Sequence, residues 1–174
     1  MGMDIHITVL ARKEQDSEHP ESTYRALEFN KEGKPTPFTF PYFRNRFFFE
    51  FLQDVAVGGR WDVVNGNIEH EDAIDWYLEE DSGLWGHSYI RLKDISEMIL
   101  NLEFDIYKFR ETKDADLLAQ YNCDDAESAE EILDMLKYVY KSAKLMMDFD
   151  VLLEDRWNLE YDIDNSILLI AYDN

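Results

Sequence analysis

Polar and apolar residues alternate along the first segment of the chain, MDIHITVLAR. Positions 5, 7 and 9 are apolar, whereas Asp4, His6 and Thr8 lie between them. A period of two is typical of a β-strand with one buried face, so the pattern predicts a first strand over about residues 3–12. The polar face of this strand is either ordinary solvent-exposed surface or one wall of a functional site.

Two further elements are predicted in the first third of the chain. The segment TYRALEFN favours a second strand that pairs antiparallel with the first. The segment RNRFFFEFLQDVAVGG repeats apolar residues at helical spacing, and Gly58 follows it as glycine commonly follows a helix. The same apolar stripe, extended back by one turn, reaches Arg44. A charge on a buried face needs a partner, so Arg44 is a candidate for a polar interaction.

The second half of the chain favours long regular elements, because no glycine or proline follows Gly86. The pattern predicts a short helix in HEDAIDWYL, a strand in GHSYIRL and two longer helices after it. Asp94 with Glu97, and Ser128 with Glu131, have the spacing of a helix N-cap and its reciprocal partner. We therefore expect Asp94 and Ser128 to cap the two long helices.

The C-terminal segment predicts the centre of the sheet. A tight turn is expected at Asp164 and Asn165. The segment ILLIAY after it is apolar on both faces, as in a central strand that is covered from both sides. Together these patterns predict one α+β domain over residues 1–174, with a mostly antiparallel sheet and three to four helices packed on it.

The formal net charge of −21 is the strongest compositional feature of the 174-residue chain. Hydrophobic residues make up 45% of the chain, which is enough for a folded core. The negative charge argues against direct binding of nucleic acid or anionic membranes. No apolar run is long enough for a transmembrane helix, and no leader pattern opens the sequence. The single cysteine, Cys123, excludes an internal disulfide, and we expect a cytoplasmic protein.

Negative charge is concentrated in an acidic insertion at about residues 58–86. Between positions 61 and 90 there is no lysine or arginine. The eight acids of this stretch are Asp62, Glu69, Glu71, Asp72, Asp75, Glu79, Glu80 and Asp81. Such a run is either solvated surface or a binding surface for a basic partner. One such partner is a nucleic-acid-binding enzyme, whose phosphate-binding surface the acids would occupy by mimicking nucleic acid.

A second candidate site combines the polar face of the first strand with distant residues. Asp4 and His6 lie about 7 Å apart along a strand, and this pair suits either a metal ion or acid–base catalysis. In this hypothesis His6 or His87 transfers a proton. Asp4 either orients that histidine or binds the metal. Arg44 holds an anionic group of a small ligand or substrate. No sequence spacing of a designed metal site is present.

The third hypothesis is structural. In it the same polar groups satisfy one another, for example Arg44 with Asp4, because buried polar groups need hydrogen-bond partners. The sequence leaves all three hypotheses open. It defines neither a cofactor nor an oligomeric state.

Four short segments resemble a family of uncharacterised bacterial and phage proteins. They are MGMDIH, FRNRFFFEFL, GHSYIRLKDI and the final AYDN. Members typically begin M-G-x-D-I-H, carry an R-N-aromatic segment that heads a helix, and have an H-S segment before a strand-to-helix turn. Arg46 stands where that pattern has an aromatic residue. The resemblance implies a bacterial or phage cytoplasmic setting and no particular reaction. It implicates Asp4, His6, Arg44, Asn45, His87 and Ser88.

Overall fold

The fold is built on one four-stranded antiparallel sheet. The computed structural model describes residues 4–14, 23–28, 46–58, 66–80, 85–153 and 160–173. Its strands are β1 (Asp4–Lys13), β2 (Tyr24–Glu28), β3 (Trp85–Arg91) and β4 (Tyr161–Asp173). They are ordered β2-β1-β4-β3, and every neighbouring pair is antiparallel. The predicted hairpin of the first two strands is confirmed.

Five helices accompany the sheet in the described part of the chain. They are α1 (Arg46–Val55), α2 (Ile68–Glu80), α3 (Leu92–Thr112), α4 (Asp116–Ala119) and α5 (Ala126–Leu153). The predicted α+β class with a mostly antiparallel sheet is confirmed. The helix that exceeds the predicted number is α4, a single turn between the two long helices.

Strand β4 lies inside the sheet and is buried on both faces, as its sequence predicts. Leu168 and Ile170 belong to one hydrophobic core. Ile167 and Leu169, which alternate with them, belong to a second core. Because successive side chains of a strand point to opposite faces, the two cores lie on opposite sides of the sheet.

The larger core lies between one face of the sheet and helices α1, α3 and α5. Ile7 and Val9 of β1 and Ile90 of β3 contribute to it from the sheet. The helices contribute residues that recur every three or four positions, as helices with one buried face require. Their fully buried members include Leu52, Ile95, Leu102, Ile132, Leu136, Val139 and Ala143.

The second core lies on the other face of the sheet, where α2 covers it. Ile74 and Tyr77 of α2 pack with Leu10 of β1 and Leu169 of β4. Thr8, on the polar face of β1, is only 3% exposed, and its Oγ1 lies 3.1 Å from the hydroxyl oxygen of Tyr77. The polar face of β1 is therefore not solvent-exposed at Thr8, because the acidic helix lies over it.

The predicted caps of the two long helices are wrong by three residues. α3 begins directly after Arg91, which makes no side-chain capping bond. Asp94 instead accepts two hydrogen bonds from the Arg91 guanidinium, at 2.5 and 2.8 Å. α5 begins directly after Asp125, whose Oδ1 accepts the backbone N–H of Ser128 at 2.7 Å. The carboxylate of Asp125 thus performs the capping that the sequence pattern assigned to the hydroxyl of Ser128.

The predicted turn at Asp164 and Asn165 is also wrong, because β4 continues through it as a bulge in the pairing with β1. Asp162 holds the bulge: its carboxylate accepts the backbone N–H and the side-chain amide of Asn165, at 3.3 and 2.8 Å. The hydroxyl of Ser166 accepts the backbone N–H of Arg12 at 2.9 Å. These turn-forming residues therefore satisfy the polar groups of a bulge and do not reverse the chain.

The hydrogen bond between Thr8 and Tyr77 provides a test of how α2 is attached. Tyr77→Phe leaves the buried hydroxyl of Thr8 without this partner, so we expect the free energy of unfolding to fall by about 1–3 kcal/mol. The double variant Thr8→Val/Tyr77→Phe removes both polar groups and should be less destabilised than Tyr77→Phe. Urea unfolding followed by circular dichroism measures both. A Tyr77→Phe variant as stable as the wild type would show that the hydrogen bond does not hold the helix.

Candidate acidic pocket between helix α2 and strand β3

A pocket of about 270 Å³ lies between α2 and the beginning of β3. It is lined by residues from the segment after α1, from α2 and from β3. These residues are Val57, Gly58, Glu71, Ile74, Asp75, His87 and Tyr89. The pocket thus joins His87, from one predicted set of site residues, with Glu71 and Asp75, from the other.

Backbone pairing places the segment after α1 against β3. Val57 and Tyr89 exchange two backbone hydrogen bonds, with N···O distances of 2.9 and 3.2 Å. Gly58 follows with a φ of +80°. A β-carbon at this position would lie 3.4 Å from the carbonyl oxygen of His87. Glycine therefore serves both the left-handed backbone and the close approach of this wall to β3.

Tyr89 joins the floor of the pocket to the start of α2. Its side chain is buried, and its hydroxyl accepts the backbone N–H of Asn67 at 3.0 Å. Asn67 in turn caps the helix, because its Oδ1 accepts the backbone N–H of Glu69 at 2.8 Å. A β-carbon on Gly66 would lie 3.2 Å from both the Tyr89 hydroxyl and Oε1 of Glu71. Gly66 thus approaches closely both the Tyr89 hydroxyl and the carboxylate of Glu71, which lines the pocket.

The outer side of α2 carries half of the acids predicted to bind a basic partner. Glu71, Asp72, Asp75 and Glu79 are exposed. None of them forms an ion pair with another residue of the described ranges. We call these four carboxylates the α2 acidic surface. Because the buried side of the helix packs on the sheet, the backbone positions of these four residues are fixed on one side of α2.

Glu69 and Glu80, which were predicted with this group, are placed differently. Glu69 forms an ion pair with Arg12 of β1, with 2.7 Å between Oε1 and Nε. Its charge is therefore partly neutralised within the fold, and we do not count it in the α2 acidic surface. Glu80 is the last residue of α2.

The sheet backbone brings together part of the second predicted site, which combines Asp4 and His6 with Arg44 and His87. His6 pairs with Ala171 on one side of β4. Ser88 pairs with the adjacent residue, Ile170, on the other side. The backbones of His6 and His87 therefore flank β4 at the same level, two strand spacings apart. A strand spacing is about 4.8 Å, so the two backbones are roughly 10 Å apart.

The remaining predicted site residues cannot be assigned to the pocket. Asp4 pairs with Asp173 at the end of β1. Four residues lie outside the described ranges: Arg44, Asn45, Asp62 and Asp81. The convergence of Asp4, His6, Arg44 and His87 in one site therefore stays a prediction.

His70 is a buried residue of this region whose burial the sequence did not lead us to expect. Although acids flank it in sequence, its side chain is 0% exposed. Its Nε2 lies 3.2 Å from the carbonyl oxygen of Asn165, whereas Nδ1 has no hydrogen-bond partner in the described structure. Burial lowers the pKa of this imidazole. Helical periodicity could have identified it, because His70 precedes the buried Ile74 and Tyr77 by one and two turns.

Other chemistry is limited in the described parts of the chain. They contain no group of three histidine, cysteine or acidic residues that could hold a metal ion. Cys123 is buried, and this burial, with smaller contributions from Asp125 and Asp124, raises the pKa of its thiol to about 11. The thiol is therefore protonated at neutral pH and is a poor nucleophile.

Comparison with known proteins finds no match to a family model, to a curated protein or to a solved structure. Among the described helices, none is both long enough and apolar enough to cross a membrane.

The buried His70 predicts a specific pH dependence of stability. Its pKa is lower in the folded chain than the ordinary value near 6.5, so the unfolded chain binds this proton more readily. The stabilisation of the folded chain that depends on neutral His70 is complete at pH values above that ordinary pKa. It is lost as the pH falls below that pKa. His70→Gln keeps a donor for the Asn165 carbonyl but cannot titrate. We expect its free energy of unfolding to fall less than that of the wild type between about pH 7 and pH 5.

The matched control is His87→Gln, which makes the same substitution at an exposed histidine. Urea unfolding at a series of pH values measures all three proteins. The interpretation fails if His70→Gln has the same pH dependence as the wild type, or if His87→Gln shows the larger change.

Proposed function

We propose that this protein acts by binding a basic partner through the α2 acidic surface. The partner class that fits best is a nucleic-acid-binding enzyme, whose basic surface the protein would occupy. One observation carries the proposal: four exposed carboxylates stand on a helix whose opposite side is fixed in the second core. Because the helix that carries these charges is already folded and packed before binding, no backbone ordering is needed on association.

The charge density of the four carboxylates supports mimicry of a phosphate backbone. Glu71 and Glu79 are eight residues apart, which is about 12 Å along a helix. The four acids are unevenly spaced, but on average they place about one charge per 4 Å of axis, and one strand of duplex DNA carries one phosphate per 3.4 Å of axis. A surface that binds a phosphate backbone would therefore meet a similar density of negative charge on α2.

The pocket beside α2 gives such a partner a place to anchor one side chain. At about 270 Å³ it is slightly smaller than the 300–1,000 Å³ that is typical of small-molecule sites. Glu71 and Asp75 supply negative charge to it, and the buried Ile74 and Tyr89 supply apolar surface. An arginine or lysine side chain, with an apolar stem and a cationic end, matches this combination.

A second candidate function is the binding of a small cationic ligand in the same pocket. The specific observation in its favour is that His87 lines the pocket together with Glu71 and Asp75. A neutral imidazole nitrogen accepts a hydrogen bond from a protonated amine. The carboxylates attract the positive charge of that amine. This function requires no macromolecular partner.

The first proposal predicts that neutralising the α2 acidic surface abolishes partner binding. The variant carries Glu71→Gln, Asp72→Asn, Asp75→Asn and Glu79→Gln. Wild-type and variant proteins are immobilised and exposed to a nuclease-treated bacterial lysate, and the retained proteins are identified by mass spectrometry. We expect the wild type to retain nucleic-acid-binding proteins that the variant does not retain. Duplex DNA and added salt should both release them, since electrostatic attraction dominates the contact.

A control with the same number of neutralised charges separates position from net charge. It carries Glu111→Gln, Glu131→Gln, Asp134→Asn and Asp148→Asn, all exposed and outside α2. This control should bind as the wild type does. The proposal would be contradicted if both quadruple variants retained the same proteins in equal amounts. It would also be contradicted if no nucleic-acid-binding protein were among those retained by the wild type.

The small-ligand alternative predicts saturable binding of an amine that depends on Glu71 and not on Glu79. Both residues are exposed acids of α2, but only Glu71 lines the pocket. Agmatine, a small amine with a guanidinium group, is titrated while the ring signals of His87 are followed by NMR. Glu71→Gln should remove the response, and Glu79→Gln should keep it. If the His87 signals do not respond in a saturable manner, the pocket is not a site for this class of ligand.

A further inference from the structure

Helix α3 presents an apolar stripe to solvent. Leu100, Phe104 and Tyr107 are 65%, 58% and 61% exposed. At 100° per residue they lie on the side of α3 opposite the fully buried Leu102. A helix that packs on one side ordinarily carries polar residues on the other. The α3 stripe, as we call these three residues, therefore contributes nothing to the core of the chain that carries it.

The flanks of α3 toward α5 are already occupied by polar pairs. Glu103 lies 2.5 Å from Nζ of Lys137, and Arg110 forms an ion pair with Glu130. These contacts join α3 to α5 on one side of the stripe. The outward face, with its three apolar side chains, is the part of α3 that remains open.

Two opposite charges lie on the other flank of the stripe. Glu97 is one turn before Leu100, and Lys108 directly follows Tyr107. On an α-helix these two positions differ by about 20° in direction, so they share one flank. Nζ of Lys108 lies 5.3 Å from the centre of the Phe104 ring, so the lysine stem extends the apolar surface. The acid and the base thus stand near opposite ends of one apolar stripe.

We propose that a second copy of this chain packs on the α3 stripe, with the two α3 helices antiparallel about a twofold axis. In this arrangement Leu100 of each chain lies opposite Tyr107 of the other, and Phe104 lies near the axis. The same symmetry sets Glu97 of each chain opposite Lys108 of the other, twice. A self-complementary surface of this kind is the requirement for a closed dimer.

The distribution of charge favours a second copy over another partner. A uniformly basic or uniformly acidic partner would meet either Lys108 or Glu97 with the wrong sign, whereas a copy of the same surface complements both. Net repulsion between two chains of charge −21 opposes the dimer. However, the α2 acidic surface lies on the opposite side of the sheet. Pairing through α3 therefore keeps the two acidic surfaces far apart, where salt screens them.

Sedimentation velocity of the full chain in about 0.15 M salt tests the dimer directly, since salt at this level screens charges beyond about 8 Å. The wild type should shift from monomer to dimer as its concentration rises. Phe104→Glu should weaken dimerisation on the order of tenfold or more, as removal of a central apolar anchor does. The control is Leu145→Glu on α5, where Leu145 is also an exposed apolar residue. Both variants should keep the circular dichroism spectrum of the wild type, because both positions are exposed.

Charge exchange tests the register and the identity of the partner. Glu97→Lys and Lys108→Glu, made separately, each create two like-charge contacts in the homodimer and should each weaken it. Mixing these two variants creates two opposite-charge contacts in the heterodimer, so association should return on mixing. The double variant Glu97→Lys/Lys108→Glu should also dimerise.

Three results would overturn the proposal. The first is a wild-type chain that stays monomeric at every concentration, which would assign the α3 stripe to a different partner. The second is a dimer that Leu145→Glu disrupts and Phe104→Glu does not. The third is a failure of association to return when the two single charge variants are mixed. None of these results depends on the function proposed for α2, since none of the variants alters that helix.

Discussion

The burial of β4 on both faces is the constraint on which the rest of this structure depends. Residues 167–171 are at most 1% exposed, and the first four of them alternate between the two cores. Each fully buried aliphatic side chain stabilises the fold by about 1.5–3 kcal/mol relative to exposure. Exposing either face of the strand to water would therefore destabilise the fold. Helices α1, α3 and α5 cover one face. The acidic segment must cover the other, and for this reason it folds as a helix on the sheet.

This requirement decides which residues of α2 point outward. His70, Ile74 and Tyr77 occupy the buried side, and the acids are left on the solvent side. Glu71 and Asp75, like Asp75 and Glu79, are one turn apart, and like charges at this spacing destabilise a helix by a few tenths of a kcal/mol each. Packing against the sheet offsets that cost. The surface of like charges is thus held in place by the apolar side of the same helix.

Local periodicity is what made much of the fold predictable from the sequence. The alternation in β1, the two-sided apolar run in β4 and the helical stripe that ends near Gly58 each lie within one segment. The errors have a common cause, since each depends on a distant or competing partner. Asp94 pairs with a guanidinium, and Asn165 lies in a bulge of the pairing between β4 and β1. The pocket was missed for the same reason, because the strand and helix that form it meet only in the folded chain.

Strand β3 connects the two surfaces for which we propose functions. Its Tyr89 supports α2 and the pocket on one face of the sheet. Its last residue, Arg91, leads directly into α3, which packs on the other face. A dimer through α3 therefore holds two α2 acidic surfaces on a rigid frame, facing away from each other. Two linked surfaces bind a multimeric or repetitive basic partner more tightly than either does alone, provided that their separation matches the partner. The sheet, whose two faces must both be covered, would thus also set the geometry of the bivalent binding that we propose.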